Sequence, residues 1–320
     1  KSNRITPNII QSNRLCMILG VILLLFFVLS AKDSYREKVA LWTMSGEYPA
    51  GKGETEGYID HVQEQNSDTK LILGDSVCNQ MFNHLQEYND DYCIVGNNRG
   101  LTMVGQYLLL NEFLKAHENV TDVYVIVGLD ALESKIDITY GYQYVVVPFT
   151  RIGALNNLEK ETIDEMSDLF GAWALQPEVA KIIGDSNPAR KLYLNYLKEK
   201  YGEETPTHAE YGELSDTTIL YLTKMHEMCE ARNIALYLLP DPLADNDLRH
   251  EQKQLLKEEF ERTGLDAYFP DYFSMIHFYS EKQFVDGVHF GDGYDSQEQF
   301  NEKIQEIYLD TGCMEGLKME

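Results

Sequence analysis

The sequence predicts an α/β domain built on a parallel sheet covered by helices, and three observations predict it. Short apolar runs of β type alternate with longer helical stretches from about residue 68 onward, the order that places helical crossovers between parallel strands. After a middle stretch that breaks the pattern, the alternation resumes with a helix, a strand and a closing helix. A chain of 320 residues is also long enough for one large core, so a single domain is the simplest organisation.

The elements follow in order. An apolar strand at 71–74 breaks at Gly74, and a helix is expected over 77–85. A strand at 92–95, a helix across 103–117 and a strand at 122–127 continue the alternation. Residues of about 136–213 fit poorly: they open with the aromatic, β-prone run Ile138-Thr-Tyr-Gly-Tyr-Gln-Tyr-Val-Val-Val-Pro-Phe149 and go on through helical segments at 158–170 and 188–201. Such an insertion either caps the C-terminal edge of the sheet, where ligands bind in open α/β folds, or packs as a subdomain. Its tyrosines, Tyr140, Tyr142 and Tyr144, either line a carbohydrate groove or fill a core. An amphipathic helix at 217–232 then feeds a strand at 234–239, stopped by Pro240-Asp241-Pro242, and a helix at 296–308 closes the domain.

Residues 15–31 form an uncharged apolar run, slightly short of the roughly 20 residues of a membrane span. Lys1, Arg4 and Arg14 precede it and Asp33 and Glu37 follow, so the positive-inside bias puts residues 1–14 in the cytoplasm and the rest outside. The reading is an uncleaved anchor in the lipid bilayer, with a cleaved signal peptide as the competitor. Residues 32–67 read as a polar stalk or entry loop, and 68–320 as the extracytoplasmic domain. Acidic residues outnumber basic ones 52 to 27, for a formal charge of -25, which excludes a nucleic-acid backbone as partner.

Five cysteines, Cys16, Cys78, Cys93, Cys229 and Cys313, show no zinc-type spacing. Cys78 and Cys93 either form a bridge or remain buried thiols. The histidines outside the motif below are scattered without the paired spacing of a metal site, and neither a metal nor a cofactor is expected.

Function is concentrated at two distant places. Residues 69–80, Thr-Lys-Leu-Ile-Leu-Gly-Asp-Ser-Val-Cys-Asn-Gln, deliver Ser76 where a strand gives way to a helix, and Asp286-Gly-Val-His289 supplies a carboxylate and an imidazole three residues apart. A serine hydroxyl is a poor nucleophile until a base takes its proton, a histidine titrates near neutrality, and a carboxylate orients the base. Alternatively, Ser76 is a helix N-cap, a common use of serine after a strand.

Gly74-Asp-Ser-Val77 and Asp286-Gly-Val-His289 resemble the first and last signature blocks of the SGNH, or GDSL, hydrolase superfamily. The resemblance covers about residues 70–310 and implies a flavodoxin-like sheet with the nucleophile after the first strand. It implies that Ser76 attacks an acyl carbonyl, His289 is the base, Asp286 orients the imidazole, and Asp75 holds the loop. At Ile94-Val-Gly-Asn-Asn-Arg-Gly100, Gly96 or Gly100 would donate a backbone N–H to the oxyanion, with Asn97 or Asn98 beside it. The family usually carries Gly-x-Asn after the third strand, whereas this chain reads Gly128-Leu-Asp130. An ionised Asp130 accepts hydrogen bonds and cannot donate one, so it is protonated, turned away, or replaced by Asn97 or Asn98. Arg99 either binds an anionic acceptor or makes a surface ion pair.

The anchor, the outside domain and the serine site together resemble membrane-anchored SGNH-like proteins of alginate O-acetylation and teichoic-acid D-alanylation. That resemblance implies a membrane-bound O-acyltransferase partner and an extracellular polysaccharide or teichoic acid as acceptor of an acyl group from Ser76. Two other functions are open on the sequence: an esterase or lipase of the cell envelope, and a noncatalytic scaffold or polysaccharide-binding protein.

Overall fold

In the computed structural model, which describes residues 54–136, 138, 140–202, 208–291 and 296–319, four strands lie side by side in parallel. They are β1 (Lys70–Gly74), β2 (Tyr92–Gly96), β3 (Asp122–Val127) and β4 (Ala235–Pro240), in the spatial order β2-β1-β3-β4. Register sets their C-terminal ends level: Gly74 lies opposite both Gly96 and Ile126, and Ile126 opposite Leu239. The segments that carry Ser76, Asn97, Asp130 and Asp241 therefore leave from one edge.

The strands are apolar almost throughout because both faces of the sheet are covered. Leu71, Leu73, Cys93, Val95, Val123 and Val125 join one core, while Ile72, Ile94, Tyr124 and Ile126 join the other. The first core is closed by α1 (Glu54–Val62), α3 (Thr102–Ala116) and α9 (Asp216–Glu230). The second is closed by α2 (Ser76–Phe82) and α11 (Gln297–Ile304). Cys78 and Cys93 sit on opposite faces, both buried and free, which rules out a bridge between them.

The structure departs from the sequence reading in three places. Residues 32–67 were expected to be a stalk or entry loop, yet α1 lies within them and buries Ile59 and Val62 in the first core, and Gln63 donates to Glu112 on α3 at 2.8 Å. The run expected to be β-prone is helical: a π-turn at Tyr142–Val146 runs into α5 (Val147–Arg151), with Pro148 in the first turn. Tyr142, Val145, Val146 and Phe149 fill the core there, so packing overrides the strand preference of the valines. Tyr144 joins the same core and, with the exposed Tyr140, crowds the Gly100 loop, where an added Cβ would lie 2.7 Å from Tyr140 Cβ and 2.9 Å from Tyr144 Cδ2.

Beyond α5, the insertion folds as α6 (Lys160–Phe170), α7 (Pro177–Asp185) and α8 (Asn187–Tyr201), with α4 (Leu129–Glu133) before it. Finally, residues 243–285, to which the sequence reading assigns no element, contain the longest described helix, α10 (Asp247–Thr263). A short parallel pair, β5 (Leu243–Ala244) with β6 (Phe278–Tyr279), brackets it. Among the described residues no helix is long and apolar enough to cross a membrane. The anchor expected at 15–31 lies outside the described residues, as does Cys16.

Candidate active site

Ser76 opens α2 at the C-terminal end of β1. The capping role falls to Asp75, whose Oδ1 accepts from the Val77 N–H at 2.9 Å and whose Oδ2 accepts from the Gly128 N–H at 3.3 Å. With the cap supplied by its neighbour, the Ser76 hydroxyl is directed elsewhere: Oγ lies 2.7 Å from His289 Nε2.

His289 stands on a tight loop closed by a bridge between Phe284 and Phe290 and by the Val285 N–H donating to the His289 carbonyl at 2.9 Å. Gly287 takes φ +80° in that loop, a conformation glycine adopts without a Cβ penalty. Asp286 Oδ2 lies 2.8 Å from His289 Nδ1, and its Oδ1 accepts from the N–H groups of Val288 at 3.0 Å and His289 at 2.8 Å. Burial pushes the Asp286 carboxyl up, but the His289 N–H, the His289 ring and the Val288 N–H outweigh it and hold it down at about 2. An ionised Asp286 can only accept, so Nδ1 carries the proton and Nε2 is left to accept from Ser76. The three residues expected to act together are thus joined in one relay.

The predicted oxyanion donors behave differently. The Gly96 N–H donates to Asn83 Oδ1 at 2.9 Å, and the Gly100 N–H to Asn98 Oδ1 at 2.8 Å. Asn97 is fully buried and exchanges amide hydrogen bonds with Gln106, both at 3.2 Å, so it braces the loop against α3. The Asn98 amide donates to Glu54 Oε2 at 3.1 Å. Arg99 begins a short 3-10 turn at Arg99–Leu101; its side chain lies outside the described residues.

Asp130 is ionised and held in an ion pair. Arg249 grips it with Nη1 to Oδ1 at 2.6 Å and Nη2 to Oδ2 at 2.9 Å, and Gln252 adds Nε2 to Oδ1 at 3.0 Å. Burial raises this carboxyl, but the Arg249 hydrogen bonds and charge prevail and lower it below its ordinary value. Of the three options open on the sequence, the ion pair with Arg249 argues against the protonated one. Asp130 makes a forked ion pair.

Behind Asp75 lies Asp241, 2% exposed at the end of β4. Burial, then the charge of Asp75 and the hydrogen bond to it, push Asp241 well above the carboxylate range. Burial raises Asp75 as well, opposed by the bond from Asp241 and by N–H groups of Val77, Gly128 and Cys78. The N–H donors favour the charge on Asp75, so Asp241 holds the proton of the pair.

Asp241, Arg249 and Gln252 are site residues that sequence reasoning misses, as is the link from Gln80 to the main chain of Phe290, next to His289. Asp241 leaves a trace, a carboxylate directly after an apolar strand, where such sheets bind ligands. Among the described residues no group of three histidine, cysteine or acidic side chains is placed to hold a metal. Compared with protein-family models and with curated proteins, the chain matches none of them.

Proposed function

We propose that the chain is a membrane-anchored serine acyltransferase of the SGNH type. It passes an acyl group, acetyl or D-alanyl, through an acyl-Ser76 intermediate to a hydroxyl of an extracellular polysaccharide or teichoic acid, with a membrane-bound O-acyltransferase as partner. One observation carries the chemistry: the Ser76–His289–Asp286 relay, with contacts of 2.7 and 2.8 Å. Two further features support the family reading. The strand order β2-β1-β3-β4 is that of the first four strands of a flavodoxin-like sheet, and the nucleophile follows the first strand while the Asp-x-x-His loop follows the last.

In the reaction, His289 Nε2 takes the Ser76 proton as Oγ bonds to the acyl carbon, and Asp286 stabilises the imidazolium. The proton returns to the leaving oxygen as the acyl bond to it breaks. The acceptor hydroxyl then repeats the sequence and frees Ser76.

A second reading, an envelope esterase with water as the acceptor, is favoured by the openness of the relay, since the His289 and Asp286 side chains are 36% and 53% exposed. The test is labelling of the full chain by a fluorophosphonate, comparing wild type with Ser76→Ala and His289→Ala. Labelling is expected in wild type and lost in both variants; equal labelling in all three overturns Ser76 as nucleophile. Turnover of a small acyl ester with and without an oligosaccharide acceptor then separates transfer from hydrolysis.

A further inference from the structure

Acyl transfer at a serine creates negative charge on the carbonyl oxygen, and donors aimed at that oxygen are usually the largest single contribution to the rate. At this site the donors that the sequence points to are engaged elsewhere: the Gly96 N–H by Asn83, the Gly100 N–H by Asn98, the Asn97 amide by Gln106 and the Asn98 amide by Glu54. Position 130 holds an ionised carboxylate, which repels an oxyanion. A cation from α10 nevertheless reaches the loops at this edge of the sheet. Arg249 lines a cavity of about 30 Å³ together with its partner Asp130, with Asp241, with Asp75 and Val77, which flank Ser76, and with Val288, which precedes His289.

We propose that the Arg249 guanidinium is the oxyanion-stabilising group of this site, replacing the amide that an asparagine at position 130 would supply. The proposal rests on the serine acyl-transfer reading above. Asp130 then becomes the residue that aims the guanidinium, not a lesion in the site.

The surroundings of Arg249 fit this role. It lies in the first turn of α10, where its own N–H donates to the Asn246 cap at 2.9 Å. Its side chain is only 16% exposed. Nη1 donates to Asp130 Oδ1 and, at 2.7 Å, to Gln252 Oε1, while Nη2 donates to Asp130 Oδ2. These bonds use three of the five N–H donors of a guanidinium, so the group has capacity for an oxygen ligand while its fork stays fixed. A planar cation held this way needs little reorganisation when charge develops, which a lysine on a flexible stem does not match.

The step balances within the residues named. Ser76 Oγ bonds to the carbonyl carbon, the Ser76 proton moves to His289 Nε2, and the carbonyl π pair moves onto oxygen, where an Arg249 N–H receives it. The pair then reforms the carbonyl, the bond to the leaving oxygen breaks, and that oxygen departs with the proton from His289.

The test uses the full chain and the neutral ester p-nitrophenyl acetate, with kcat and KM measured separately. Arg249→Gln alone would strand the Asp130 charge, so the decisive comparison is Asp130→Ala against Asp130→Ala with Arg249→Gln. In that background Gln252 Oε1 still holds Nη1, so the second change is expected to lower kcat by about a hundredfold or more, with KM little altered, and Arg249→Lys is expected to recover part of the loss. Equal kcat in the two backgrounds would overturn the proposal, reducing Arg249 to a neutraliser of Asp130. A loss confined to KM would overturn it in favour of ground-state binding. Circular dichroism establishes that each variant is folded, and fluorophosphonate labelling of Ser76 in wild type separates failure of this proposal from failure of the acyl-transfer reading.

Discussion

Gln80 holds the main chain of Phe290 with both ends of its amide, Nε2 donating to the Phe290 carbonyl at 3.0 Å and Oε1 accepting from the Phe290 N–H at 3.1 Å. Gln80 stands one helical turn after Ser76, and Phe290 directly follows His289. The clamp therefore ties the base to the helix that begins with the nucleophile, across 210 residues of chain.

Cutting the clamp should damage catalysis more than folding. Gln80→Ala is expected to lower the rate of Ser76 labelling by about 10 to 100-fold, since a misplacement of about 1 Å can cost that much. The melting temperature should fall only by the equivalent of about 1 to 2 kcal/mol, the typical value of lost hydrogen bonds. Unchanged labelling would show that the loop is positioned without Gln80, by the stack of Phe290 on Phe284.

Asp286→Asn removes the acceptor that keeps the proton on His289 Nδ1. By analogy with the serine-protease case, the expected loss in rate lies between about a hundredfold and ten-thousandfold, the lower end reflecting a carboxylate that is half exposed. Because Asp286 titrates at about 2 in the folded protein, no limb of a rate profile between about pH 4 and 9 should belong to it. A plot of labelling rate against pH checks this, and an acid limb that disappears in the Asn variant would contradict it.

The buried acid pair makes stability depend on pH in a defined direction. Folding raises the Asp241 carboxyl above its unfolded value, so the native state holds a proton that the unfolded chain has released. Stability should then fall as pH rises from about 4 toward the folded value, by up to about 1.4 kcal/mol per pH unit for one proton. Asp241→Asn keeps a donor toward Asp75 and removes the titration. Urea unfolding at intervals from pH 5 to 8 should give a flatter curve for this variant, and a higher stability than wild type at the upper end. Parallel curves would place the proton elsewhere.

What was legible in the sequence was local or strongly apolar. The strands are unbroken runs such as Leu71-Ile-Leu73 because both faces are buried. The Asp286–His289 contact spans one tight loop and so appears as spacing. Arg249 gave no such sign: α10 buries only Gln252, Leu256 and Phe260, spaced four residues apart and one of them polar, a stripe too thin to stand out from its charged surroundings. Asn97 and Asn98 are neighbours in sequence with different tasks. What separates them is Gln106 on one side and Glu54 on the other, both supplied by tertiary packing.

The same distinction bears on where the folded unit begins. Helix α1 falls in a stretch rich in glycine and charge, yet Ile59 and Val62 are 3% and 0% exposed, and Asn66 Oδ1 meets His117 Nε2 at 3.0 Å. Burial of two aliphatic side chains is worth about 3 to 6 kcal/mol, as an upper estimate against a compact unfolded chain. That is a large fraction of the stability of an ordinary domain. A version starting at residue 54 should therefore unfold well above one starting at residue 68, and the shorter one should expose the first core to a hydrophobic dye. The longer one should also label faster at Ser76, because Glu54, which holds the Asn98 amide beside the site, is retained. Equal melting temperatures would mean that α1 rests on the domain without stabilising it.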